Sequence, residues 1–168
     1  GDDTVARIVF HPSTPDAAPS RTGALWVEMP GGHTLVPLAP RVEVVGDVVP
    51  AFFDPQRRVV VFEGDGQVQV RDLRSGATRT VGVGIAPRPI PFTDRFVFLR
   101  AAGGGAGGGE TEYTVLRSTF AGAAPEPIGT LRATAAAART VVVGEAADGF
   151  VLRGEGITPF VLPGPYGQ

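Results

Sequence analysis

Helix breakers constrain this chain more than any other feature. Sixteen prolines and twenty-four glycines are spread so evenly along its 168 residues that few windows run ten residues without one. Proline removes a backbone donor and clashes with the preceding helical turn, and glycine costs about 1 kcal/mol relative to alanine inside a helix. The best helical candidate, Arg132 to Ala138, is too short and runs directly into β-branched residues. What remains is a succession of short Val-, Ile-, Phe- and Thr-rich runs between turn residues, the pattern of a sandwich, barrel or propeller. The expected fold class is all-β.

The runs fall into four similar units, with approximate bounds 1–47, 48–84, 85–131 and 132–168 in one domain. The second is the clearest. Val48 to Phe53 leads to a turn at Asp54-Pro55-Gln56, then Arg58 to Phe62, a hairpin turn at Glu63-Gly64-Asp65-Gly66, Gln67 to Leu73, a turn at Arg74 to Ala77, and Thr78 to Val81. Val68 and Val70 alternate strictly with Gln67, Gln69 and Arg71, as in a strand with one face buried. The third unit runs through Arg88 to Phe92, Phe96 to Leu99, Tyr113 to Arg117 and Glu126 to Gly129. The first reads Val5 to Phe10, Ala24 to Val27, Thr34 to Leu38 and Arg41 to Val45, and the fourth Ala135 to Ala138, Thr140 to Val143, Phe150 to Arg153 and Phe160 to Leu162. Second strands aligned at Ala24, Val59, Phe96 and Val141 are 35, 37 and 45 residues apart, and the insert Gly103 to Gly109 accounts for the longest interval. Each unit is expected to be a four-stranded antiparallel meander.

The stretch Pro50-Ala51-Phe52-Phe53-Asp54-Pro55, Arg58 to Phe62, Val70 to Leu73 and Ser75-Gly76 resembles one blade of the TolB-like, WD-related β-propeller repeat. That repeat joins its first two strands by an aromatic-Ser-Pro-Asp-Gly turn and its last two by an acidic-Leu-x-x-Gly turn. Asp54 stands where serine is usual, and the first unit has only Phe10-His11-Pro12. The resemblance implies blades of a partial or oligomer-completed propeller serving protein–protein contact, in some proteins as the accessory domain of a hydrolase. Four blades fall short of a usual ring and would leave unpaired sheet edges. Two copies closing one ring, a fragment of a longer chain, or an open array covered by partner subunits each resolve that.

Composition excludes some chemistry. With a net charge of -2 and 19% charged residues, the chain has no polybasic surface for nucleic acid. It has no Cys, hence no disulfide framework and no thiolate ligand or nucleophile; every one of its fifteen basic residues is Arg, as a GC-rich genome favours. No window approaches the roughly 18 consecutive apolar residues of a membrane-spanning helix. The first residue is Gly1, a start that a removed signal, a proteolytic fragment or a purification scar would each leave. Because such repeats are frequent in envelope proteins, a periplasmic or secreted location is expected.

Gly103 to Gly109 lacks the Gly-Lys-Ser/Thr ending of a phosphate loop and reads as a hairpin tip. His11 and His33 show no metal-ligand spacing, and none of Ser13, Ser20, Ser75 and Ser118 sits in a Gly-x-Ser-x-Gly elbow. Glu63 and Asp65 could offer oxygen to calcium, but Asp-Gly between alternating strands is first of all a hairpin signal. Asp94, Glu110, Glu112, Asp148 and Glu155 read as solvated loop carboxylates. Trp26 reads as buried aromatic core, with partner anchoring as its alternative. The loop Pro12 to Arg21, with Pro15 and Pro19, and the tail Pro163 to Tyr166 are candidate contact elements.

The expected role is a non-catalytic structural or protein-interaction subunit of a larger extracytoplasmic assembly, with other protein subunits, a membrane-bound complex among them, as partners, with no cofactor or metal and with Trp26, Pro15, Pro19 and Tyr166 as partner contacts. The alternatives are the accessory fragment of a secreted hydrolase and a small-ligand or sugar-binding β protein.

Overall fold

The structure is a computed structural model that describes residues 6–13, 20–31, 34–102, 109–147 and 149–164. They form successive antiparallel sheets, and none of the described strands closes a sheet on itself. The first sheet contains β1 (Arg7–Pro12), β2 (Ser20–Glu28) and β3 (Leu35–Val45). The second contains β4 (Ala51–Asp54), β5 (Val59–Gly64), β6 (Gln67–Asp72) and β7 (Thr78–Val83). The third contains β8 (Ile85–Pro89), β9 (Arg95–Ala101), β10 (Thr111–Thr119) and β11 (Glu126–Ala133). After the helix α1 (Ala135–Arg139), the fourth contains β12 (Val142–Ala146), β13 (Gly149–Arg153) and β14 (Phe160–Val161).

Local chemistry sets the second sheet. Asp65 and Gly66 both adopt positive φ, +55° and +74°, and Gly64 pairs directly with Gln67. This two-residue turn matches the twist of its flanking strands. At the next turn the Asp72 carboxylate accepts hydrogen bonds from the backbone N–H groups of Arg74 and Ser75, which holds it below the usual carboxylate range. Val68 and Val70 are buried, as their alternation requires.

Three apolar layers hold the sheets together. Leu25, Val27, Val42 and Val44 of the first sheet pack with Val60 and Phe62 of the second. The opposite face of β5, Val59 and Val61, packs with Val68 and Val70 against Phe96, Phe98 and Leu116 of the third. The far side of the third sheet, Val97, Leu99 and Val115, meets Leu152 of the fourth and Leu162, which follows β14. β5 is thus buried on both faces, and its run of valines shows the continuous apolar pattern of a doubly covered strand.

The structure departs from the expected strands in four places. Thr34 to Leu38 and Arg41 to Val45 belong to one long strand, β3, whose register against β2 shifts between Gly23 and Leu25 and again between Leu25 and Trp26. Bulges absorb the irregularity, and Pro37 and Pro40 are tolerated because β3 is an edge strand whose outward N–H groups need no partner. The first strand of the third sheet ends at Pro89, so Phe92 lies in the turn. Glu63 lies inside β5, not in the hairpin turn.

The fourth departure is Ala135 to Ala138, which forms helix where a strand was expected. Alanine has the highest helix propensity, and the Thr134 hydroxyl accepts the Ala137 N–H at 3.1 Å as an N-cap. Thr134→Ala should cost about 1 kcal/mol in a urea denaturation series, and Thr134→Ser little. The first and fourth sheets accordingly contain three described strands each, and the second and third contain four.

Candidate protein-docking groove

Two features could carry function: a surface groove between equivalent turns of the second and third sheets, and a buried ionic cluster.

The groove lies between the β4–β5 turn and the β8–β9 turn and encloses about 680 Å³. Phe52, Phe53 and Pro55 form one wall, Pro89, Ile90, Pro91 and Phe92 the other, and Phe120 lies between. An aromatic stack shapes it from beneath: Phe120 stacks on buried Phe96 at 6.0 Å with their planes 10° apart, and Phe52 meets both rings edge-on. The Arg57 guanidinium sits 5.1 Å from the centre of the Phe120 ring and pairs with Asp54 at 2.6 Å.

Phe92 is the unusual member. It is 92% exposed and holds φ at +65°, a left-handed conformation that side chains with a Cβ avoid. The conformation costs on the order of 1–3 kcal/mol, and leaving a phenylalanine in water forgoes another 1.5–3 kcal/mol, roughly. The turn holds it there: Thr93 Oγ1 donates to the Ile90 carbonyl at 2.8 Å and accepts from the Arg95 N–H at 3.1 Å, and the Ile90 N–H donates to the Arg95 carbonyl at 3.0 Å. Strain and exposure together make Phe92 the candidate contact residue of the groove.

The ionic cluster joins the first three sheets and α1. Glu63 on β5 is 4% exposed and accepts two 3.1 Å bonds from Nη1 of Arg139, at the end of α1. Arg139 also pairs with Glu43 of β3 at 3.5 Å. Glu63 further accepts the backbone N–H of Ala86, which the bulge in β8 turns to φ +55°. Burial raises the Glu63 carboxyl above its ordinary value of 4.5, against the opposing pull of Arg139. Arg88, also buried, donates to the carbonyls of Val141 at 2.7 Å, Pro87 at 2.8 Å and Arg139 at 2.9 Å. Burial lowers its pKa to about 10, and Glu63 resists that shift. This cluster fastens elements together and opens onto no cavity described above.

Of the residues expected to contact partners, Trp26 alone lies among the described residues, and it does not line this groove. Trp26 is half-buried, on the face of β2 opposite Leu25 and Val27, with its ring 6.2 Å from that of His11. Pro15, Pro19 and Tyr166 lie outside the described residues, as do His33, Asp148 and residues 103–108 of the glycine-rich insert. Ser20 donates to Glu43 at 2.6 Å, Ser118 to the Ala123 carbonyl at 2.6 Å, and the Ser75 hydroxyl accepts the Ala77 N–H at 3.1 Å. Among the described residues, no group of three or more His, Asp or Glu could hold a metal ion, and no helix is long and apolar enough to cross a membrane.

Sequence reasoning missed Phe92 and Glu63, although each had a signal. Pro91 lacks an N–H and stands directly before Phe92-Thr93-Asp94, a Pro- and Asp-bearing stretch that signals a turn and would have placed Phe92 outside the strand. Asp65-Gly66, taken strictly as a two-residue turn, puts Glu63 two positions inside the ladder.

No protein-family model matches the chain, and searches of curated proteins and of solved structures likewise find no match.

Proposed function

We propose that this chain is a non-catalytic interaction module of a larger extracytoplasmic assembly, with its four sheets stacked as blades of a partial propeller and the groove at Phe92 as its docking face. The observation that carries the docking reading is Phe92, exposed and strained beside an aromatic groove. Proteins anchor partners through aromatic residues set against apolar pockets, and such contacts recover the energy forgone by exposure. The blade reading draws on the TolB-like turn chemistry of residues 50–76 and on apolar layers shared between successive sheets.

The test is a photo-crosslinking amino acid placed at residue 92 of the protein in its native cells, with Val161, 70% exposed on β14, as the control position. A discrete crosslinked protein obtained from position 92 and not from 161 is the expected result. Absence of crosslinking from 92, or the same products from both positions, overturns the reading. Fractionation of the crosslinked species with the envelope tests the compartment.

A further inference from the structure

The groove carries both halves of a contact on one surface. Phe92 stands out from the β8–β9 wall, and the facing wall, with Phe52, Phe53 and Pro55, borders an apolar cavity with room for an incoming ring. Phe92 does not fill that cavity in its own molecule: its side chain stands 92% exposed. A projecting group beside a matching recess is self-complementary: one two-fold contact would seat two phenylalanines in two recesses at once.

We propose that the occupant of the groove is a second copy of this chain, docked about a two-fold axis that runs along the groove. The proposal rests on the docking reading and names its partner. With the axis so placed, each wall faces the opposite wall of the other copy, so Phe92 meets the partner's recess. The charges on the rim agree. Arg57, in the β4–β5 turn, and Asp94, in the β8–β9 turn, have side chains 39% and 52% exposed, and the same operation brings the turn that carries each against the turn that carries the other in the partner copy. Both already hold pairs within their own chain, Arg57 with Asp54 at 2.6 Å and Asp94 with Arg95 at 3.7 Å. The cross-pair therefore adds register more than affinity. A contact confined to two turns lies below the roughly 1,200 Å² of a standard stable interface, so the dimer exchanges with monomer.

Sedimentation velocity on the purified chain from micromolar to millimolar concentration tests this. The expected result is a reversible monomer–dimer equilibrium, abolished by Phe92→Asp and retained by Val161→Asp, with unchanged thermal melting for both. Asp94→Arg and Arg57→Asp should each associate about tenfold more weakly alone, because like charges then face each other, and a mixture of the two chains should regain wild-type association. A wild-type chain that stays monomeric at millimolar concentration overturns the proposal, as does a Phe92→Asp chain that dimerises like wild type or a mixture that regains nothing. Monomeric behaviour sinks only the second copy as occupant; the crosslinking experiment decides separately whether the groove docks another protein.

Discussion

Glu63→Ala is expected to lower the free energy of unfolding by about 3–5 kcal/mol, the cost of removing one partner from a buried ion pair. Arg139 would retain only Glu43, Arg88 would lose the nearby charge that supports its ionised form, and the Ala86 N–H would lose its acceptor. Glu63→Gln keeps an acceptor oxygen for Ala86 and nearly the same shape, so it should cost less than Ala. Guanidinium denaturation of the three proteins measures the difference. The pH dependence has a definite sign. Because the folded carboxyl titrates above its ordinary value of 4.5, the folded state holds its proton more tightly than the unfolded chain. This group's contribution is therefore fully present below about 4.5 and is lost as pH rises through the folded value. Glu63→Gln should remove that part of the slope; an identical stability–pH curve for wild type and Gln would show that the carboxyl does not titrate differently in the fold.

Phe96→Ala should destabilise by a similar amount, about 3–5 kcal/mol, through the cavity it leaves. Phe96 is fully buried and lies against Phe52, Phe98 and Phe120 at ring separations of 6.0, 6.1 and 6.0 Å. Its ring therefore joins the second and third sheets, and its loss should lower the melting temperature by roughly 10 °C. Phe96→Leu replaces much of the volume and should cost about 1–2 kcal/mol. Since Phe52 and Phe120 line the groove, the alanine variant should also weaken whatever docks at Phe92, beyond the effect of unfolding. Calorimetry gives the first effect and crosslinking yield from residue 92, corrected for folded fraction, gives the second; unchanged melting of Phe96→Ala would mean that the aromatic stack does not bind the sheets.

Much of the architecture follows from local sequence signals. Valine runs, strict alternation at Val68 and Val70, and the positive-φ pair Asp65-Gly66 place β5 and β6 nearly to the residue. Where expectation failed, the physical reasons differ. Pro40, between the two expected strands, looks like a strand breaker until β3 proves to be an edge. The alanines from 135 to 138 fit a strand only by analogy with the other units; once Thr134 caps them, intrinsic propensity takes over, and Arg139 at their end gains two carboxylate partners from other sheets.

The candidate site was less legible. Phe92 reads as one more apolar residue, because sequence periodicity records which residues are greasy and not which ones the backbone leaves without cover. Glu63 reads as a turn carboxylate, since its partners Arg139 and Ala86 are 76 and 23 positions away in the chain.

By itself, then, the order of amino acids determined an all-β chain of short antiparallel strands, because proline, glycine and β-branched residues act through torsions of their own and adjacent residues. Only the tertiary structure decided that a carboxylate would be buried among three sheets and a helix, and that a phenylalanine would be held out in water above an aromatic groove. The burial of Glu63 depends on partners far apart in the chain, and the groove beneath Phe92 on turns from two different sheets; packing sets both, and local torsional preference does not.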